Sequence, residues 1–145
     1  MSQVAKHVAD DIRCASRSTA NVLISGGDTG TRAAIARLIH TRRGRAGALV
    51  ESDPGAPVSA APSNTTIFIR EIGDLSSSMQ SRLKDLIERE LALNLIAATG
   101  YNLLDRVAAR TFDEDLFYRL NIIHIVIDHQ ETWTHLAATM AAQES

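Results

Sequence analysis

Cysteine is nearly missing from this sequence. The single Cys14 excludes an internal disulfide and a cysteine-rich zinc centre. Long apolar runs are missing as well. None approaches the roughly 20 residues that span a bilayer, and the N-terminus, MSQVAKHVADDIR, has no signal-peptide core. The expected address is therefore cytoplasmic. Charge of one sign is not in excess: 15 Lys and Arg stand against 17 Asp and Glu, and a net charge of −2 gives no bulk drive toward nucleic acid or an anionic membrane. Proline is scarce and confined, since Pro54, Pro57 and Pro62 all fall between Glu51 and Asn64. No internal repeat or low-complexity tract is visible. What is present is a chain of 145 residues, 45% of them hydrophobic, which is the length and composition of one globular domain spanning residues 1–145.

Periodicity gives an alternating order of elements. Val4, Val8, Ile12 and Ala15 recur at helical spacing, so residues 3 to 15 form an amphipathic helix. Ser16 to Ala20 is a polar connector into a first strand, Val22 to Ile24. The helix after it carries Ile35, Leu38 and Ile39 inward. Arg37, His40, Arg42 and Arg43 crowd its C-terminal end, which favours cations, and read as a solvated helix end in preference to a nucleic-acid patch. Ala46 to Val50 is a second strand, Glu51 to Asn64 a loop, and Thr65 to Arg70 (TTIFIR) a third strand. Ser76 or Ser77 caps a helix whose inward stripe is Met79, Leu83, Leu86 and Ile87. Asn94 to Thr99 is a fourth strand, apolar enough for burial on both faces. Helical turns follow at 103–109 and 114–120. Ile122 to Ile127 is the fifth and most hydrophobic strand, and Trp133, Leu136, Ala137 and Met140 stripe a closing helix. Strands alternating with helices predict an α/β fold, a parallel sheet covered on both faces.

The stretch that organises the chain is NVLISGGDTGTRAAIARLIH, Asn21 to His40. Strand, glycine-containing turn and helix N-terminus form the usual phosphate-cradling unit. The motif is incomplete, however. Against G-x-x-x-x-G-K-[ST] the register gives Gly26, Gly27, Asp28, Thr29, Gly30, then Thr31 for the second Gly, Arg32 for Lys and Ala33 for the hydroxyl. From these residues alone it is either a decayed P-loop or an ordinary strand–turn–helix.

Several segments, in order, resemble the AAA+ domain of bacterial sigma-54-dependent transcriptional activators. Asn21 to His40 is similar to that family's P-loop strand and helix. TTIFIREIGDLSSSMQSRLKDLIE is similar to its Walker B segment. LNLIAAT followed by RTFDEDLFYRLNIIHI resembles its sensor I strand and arginine-finger segment, with FDEDLFYRLNI the most specific string. The resemblance implies a P-loop NTPase three-layer sandwich with five parallel strands in the order 5-1-4-3-2. It places the catalytic lysine at Arg32 and the metal-holding Walker B aspartate at Arg70. The water-activating glutamate falls at Glu71, the sensor asparagine at Gly100, and the two finger arginines at Asp113 and Arg119. A planar guanidinium does not substitute conservatively for an ammonium in a tight cradle. A cation at the metal ligand's position opposes the Mg²⁺ on which phosphoryl transfer depends. The family's sigma-54-contacting loop has no counterpart between Glu51 and Asn64, and its helical lid is expected to be absent.

These departures lead to an expected function: a non-hydrolysing AAA+-like regulatory or interaction module, acting in transcriptional regulation through protein contacts. The partner is an AAA+ activator or the transcription machinery, with homo-oligomerisation open and no direct DNA binding. Glu71 and Arg119 are vestigial and no catalytic residue is expected. Gly26, Gly27, Asp28, Thr29, Gly30, Thr31, Arg32 and Arg70 mark a vestigial phosphate site, with no cofactor and no metal, and with ATP, ADP or anion binding weak or absent. The alternative is a nucleotide-binding ATPase domain of a sigma-54-dependent response regulator that uses non-standard residues. Arg32 and Arg70 themselves allow two arrangements. They form a metal-free anion site across adjacent strand ends, or they point to solvent and pair with Glu71 and Asp74. Glu71 and Asp74 suit loop capping better than acid–base work, and His124 on its apolar strand reads as a core histidine. His129 and His135 do not make a zinc site.

Overall fold

Both edges of β1 (Val22–Gly26) are hydrogen-bonded into a parallel sheet, flanked by β4 (Asn94–Thr99) on one side and β5 (Ile123–Ile127) on the other. In this computed structural model, which describes residues 3–44, 47–52, 65–89, 94–128 and 132–144, the sheet order is β2-β3-β4-β1-β5. That is the order expected from the resemblance, and all four strand pairs are parallel. β2 (Leu49–Ser52) and β3 (Thr66–Ile69) complete the sheet.

The helices divide between the two faces. On one, α1 (Gln3–Ser16), α2 (Thr29–Arg42) and α6 (Trp133–Glu144) bury Val8, Ile12, Ile35, Ile39, Leu136 and Met140 against Val22, Ile24, Ile96 and Ile125. On the other, α3 (Ser77–Arg89), α4 (Leu103–Ala108) and α5 (Glu114–Leu120) bury Met79, Leu83, Leu86, Leu103, Leu116 and Leu120 against Leu23, Ile69, Leu95 and Ala97. Alternation along each strand sends successive side chains to opposite faces, so two apolar clusters form around one sheet. β4 is buried at all six positions, as its unbroken apolar run predicts.

Three expectations shift. β2 begins at Leu49, not Ala46, and runs through Glu51 and Ser52, which were expected in the loop. Its register, Leu49 opposite Thr66 to Ser52 opposite Ile69, is set by the fully buried β3 and not by its own composition. β5 begins at Ile123 and is an edge strand. Ile125 and Ile127 are buried, whereas His124 and Val126 are exposed, so its apolar run is not a sign of burial on both faces. Nor is the basic end of α2 simply solvated. His40 is buried, its Nε2 2.9 Å from the Gly47 carbonyl and its Nδ1 2.6 Å from the Thr66 hydroxyl. Arg43 donates to the carbonyls of Ala15 and Ala20, tying α2 to the end of α1, and Arg37 pairs with Glu51. Periodicity does not register these polar anchors because their partners are backbone oxygens contributed by other elements. The expected strand start at Ala46, the proline-bearing 53–64 segment and His129 lie outside the described residues.

Candidate functional site at the β1–α2 loop

The loop after β1 turns on two glycines. Gly26 has φ +87° and Gly27 φ +62°, a region that strongly favours glycine. A Cβ on Gly26 would fall 2.1 Å from the backbone oxygen of Ile127, so the end of β5 also needs that position bare. Asp28 then caps α2. Its Oδ1 accepts from the Thr31 backbone N–H at 2.7 Å. That bond is the main reason the carboxyl titrates below its usual range. The Thr31 side chain lowers it further, desolvation opposes, and the Arg32 charge and the Gly30 amide add smaller lowering contributions.

Arg32, on the first turn of α2, is only 6% exposed. Its Nη1 donates to the carbonyls of Gly26 (2.8 Å) and Gly27 (2.9 Å), and its Nη2 to Thr29 Oγ1 (3.3 Å). Its Nε is buried with no protein partner. Among the described residues no carboxylate lies within ion-pair distance of it. The guanidinium therefore points back into the loop and is held by neutral oxygens. It neither faces solvent nor pairs with Glu71 or Asp74.

Glu71 arrives from the end of β3. It caps the short 3-10 turn Ile72–Asp74, accepting from Gly73 N–H at 3.0 Å on Oε2, while Oε1 accepts from Gly100 N–H at 2.7 Å. A Cβ on Gly100 would stand 3.4 and 3.6 Å from the two Arg32 Nη atoms and 3.6 Å from Glu71 Oε1. Arg32, Glu71 and Gly100 thus converge at the C-terminal ends of β1 and β4. Arg70 is not part of that convergence through adjacent strand ends, because β4 separates β3 from β1. Its backbone N–H lies over β2, donating to Ser52. Arg106 pins the Glu71–Asp74 turn from the far side, donating to the Gly73 carbonyl at 2.8 Å with its guanidinium 3.7 Å above the Tyr101 ring.

The segment from Thr111 to Arg119 lies apart from this loop, on the α3 side. Arg110 precedes it at φ +63°, closing α4 with Arg110 N–H on Val107 O and Thr111 N–H on Arg106 O. Asp113 caps α5 through Leu116 N–H and sits 3.3 Å from Lys84 Nζ. The backbone bond is the first cause of its lowered pKa. Arg119 is paired within the chain, 3.0 Å from Glu88 and 3.2 Å from Asp115. Gln80, 4% exposed, holds the segment to α3: its Nε2 donates to Leu75 O and Thr111 O, and its Oε1 accepts from Asp113 N–H. Sequence reasoning missed Gln80, since an uncharged polar residue on an amphipathic helix gives no signal. His124 was expected in the core. It lies instead on the exposed face of β5, 2.7 Å from Ser25 Oγ, in a cleft of 720 Å³ shared with Leu104, Phe117 and Val126.

Comparison with known proteins gives the context for this arrangement. The family model described as the sigma-54 interaction domain matches residues 1–128. The chain belongs to that family. Among relatives of the sigma-54 interaction domain, the transcriptional regulatory protein ZraR of Salmonella typhimurium is 40% identical over 93 residues, covering 56% of this chain and 19% of that protein. ZraR of Escherichia coli K12 is 33% identical over 166 aligned positions, covering 87% of this chain and 37% of that protein. The chain thus spans between about a fifth and two fifths of the length of these relatives. Among solved structures, NtrX from Brucella abortus in complex with ADP superposes with a TM-score of 0.75 at 18% identity, over 88% of this chain and 37% of that one. The P-loop NTPase domain of a sigma-54 activator from E. coli gives 0.65 at 17% identity, over 83% of this chain and 93% of that one. The fold is that of a P-loop NTPase domain. Within that fold, the β1–α2 loop holds Arg32, and Arg70 follows the end of β3. No helix among the described residues is long and apolar enough to cross a membrane, and no cluster of three metal-ligating side chains is found among them.

Proposed function

We propose that this chain is a non-hydrolysing member of the sigma-54 interaction domain family that works in transcriptional regulation by contact with a protein partner. The observation that carries this reading is the state of Glu71. Each of its oxygens accepts from a backbone amide, Gly73 N–H and Gly100 N–H, so the carboxylate is fixed as a brace between two turns. Activating water is the one catalytic step that the surviving family residues would have to supply. The surroundings support the same reading. Arg32 spends its donors on the loop's own carbonyls, Arg70 brings a cation where a Mg²⁺ ligand is needed, and Gly100 has no side chain with which to orient a water. These residues do not fit a magnesium–nucleotide complex.

Arg119 is engaged by Glu88 and Asp115 of its own chain and does not stand free to reach a neighbour's nucleotide. The contact surface is instead the face around α5, where Tyr118 is 61% exposed. The partner is an AAA+ activator or a component of the transcription machinery, met in the cytoplasm without direct DNA contact.

The test has two arms. Purified chain with ATP and Mg²⁺ is expected to release no phosphate above background, and Glu71→Ala to leave that baseline unchanged. Magnesium-dependent turnover that Glu71→Ala abolishes would overturn the proposal in favour of a working ATPase. In the second arm, the chain is added to a purified full-length sigma-54-dependent activator and the activator's own ATPase is followed. A change in that rate, lost with Tyr118→Ala, is the expected outcome, and an unaltered rate counts against contact through this face.

A further inference from the structure

Two features of the β1–α2 loop point in one direction. The first is the Asp28 carboxylate on the Thr31 amide, at the N-terminus of a 14-residue helix whose dipole and free N–H groups attract an anion. The second is independent of it: a guanidinium 94% buried by its 6% exposure, with its Nε unpartnered and no carboxylate within ion-pair distance among the described residues. A buried cation bonded only to neutral oxygens is costly unless an anion stands nearby. Asp28, exposed at the head of α2 with its Oδ1 on the Thr31 N–H, is the loop's own anion.

We propose that Asp28 is the resident occupant of the cradle. Its carboxylate fills the place at the head of α2 that an external oxyanion would need, and this closes the loop to phosphate groups. The proposal deepens the non-hydrolysing reading above and rests on it, since it names what excludes the ligand. Three contributions act together. The Thr31 N–H is already used. The carboxylate repels an incoming anion. The Gly26 and Gly27 carbonyls are turned toward Arg32, so at those two positions the loop offers acceptors to the guanidinium. Displacing Asp28 would leave a bare helix N-terminus next to the buried guanidinium, a magnesium-independent site for a tetrahedral oxyanion.

The probe is inorganic pyrophosphate without Mg²⁺, titrated into the folded chain and followed by amide NMR shifts of Gly30, Thr31 and Arg32. The wild type is expected to show no saturable shift at millimolar concentrations. Asp28→Gly, which frees the amide and removes the charge at little cost to the cap, is expected to bind at least about tenfold more tightly, the range of a charge-assisted hydrogen bond. Asp28→Asn removes the charge but keeps an oxygen on the Thr31 N–H, and should fall between the two. Adding Arg32→Gln to Asp28→Gly should abolish the gain. Wild type binding as well as Asp28→Gly overturns the proposal. So does the absence of binding by Asp28→Gly with an unchanged melting temperature. Turnover of ATP by the wild type would sink the non-hydrolysing reading separately, whatever the pyrophosphate titrations give.

Discussion

Replacing Gln80 with Leu should loosen the one buried polar joint that fixes the Thr111–Arg119 segment. The side chain makes three hydrogen bonds: 3.0 Å to Leu75 O, 3.2 Å to Thr111 O and 2.8 Å from Asp113 N–H. Each contributes about 1 kcal/mol net, and the loss is greater where the remaining partner stays buried without water. Three such losses give about 3 kcal/mol, from which the extra apolar burial of Leu recovers about 1 kcal/mol. The net cost of about 2 kcal/mol should appear in urea denaturation as a midpoint lowered by about 1 M, with the slope unchanged. Hydrogen exchange should show the Asp113 amide losing protection before the α3 core does. Gln80→Glu keeps an acceptor for Asp113 N–H but sets oxygen against two carbonyls, so it should be no better than Leu. If Gln80→Leu stays within about 0.5 kcal/mol of wild type with the Asp113 amide still protected, the segment is held by something else and the reasoning fails.

Gly26→Ala should be the most damaging single change in the loop. It places a Cβ 2.1 Å from the Ile127 oxygen in a backbone at φ +87°, so at least about 2 kcal/mol of thermal stability should be lost as the β1–β5 edge is displaced; a melting temperature within a degree of wild type would refute it. His124 gives a pH test. Burial holds its pKa below the usual 6.5, with the Asp11 carboxylate opposing. The unfolded chain therefore takes up that proton at higher pH than the folded one, so this contribution to stability is level above about 6.5 and falls as pH drops through it. His124→Gln should flatten the urea midpoint between pH 5 and 7, and an unaltered slope would mean that the titration lies elsewhere.

The order and type of the elements were legible because each carries its own period. Val8, Ile12 and Ala15 mark one helix face, and TTIFIR and NLIAAT mark strands whose every residue is buried or nearly so. Strand order followed from the resemblance, since parallel pairing leaves no local signal. The site was legible only in part. Sequence could name Asp28, Arg32 and Glu71, but not that Asp28 would turn onto Thr31 N–H, that Arg32 would fold back onto Gly26 and Gly27, or that Glu71 would hold Gly73 and Gly100. Those outcomes depend on which backbone groups lack a partner once the sheet has formed. His40 and Arg43 were read as part of a solvated helix end, and Gln80 was missed, for the same reason: each meets main-chain oxygens of a different element, and main-chain oxygens have no letter in the sequence.

The replacements at the loop make steric sense together in a way they do not singly. Arg32 is broader than the lysine a P-loop carries, and its Nη atoms stand 3.4 and 3.6 Å from where a Cβ of residue 100 would be. An alanine there is in ordinary contact, but an asparagine would have to thread its amide between the guanidinium and Glu71 Oε1, itself 3.6 Å from that Cβ. Gly100 therefore provides the room that Arg32 occupies, while its backbone N–H donates to Glu71. A site in which one side chain was lost at random would leave its neighbours with orphaned polar groups. Here the neighbours have re-paired with backbone, apart from the single Arg32 Nε. The polar groups of the loop are thus met largely by its own backbone.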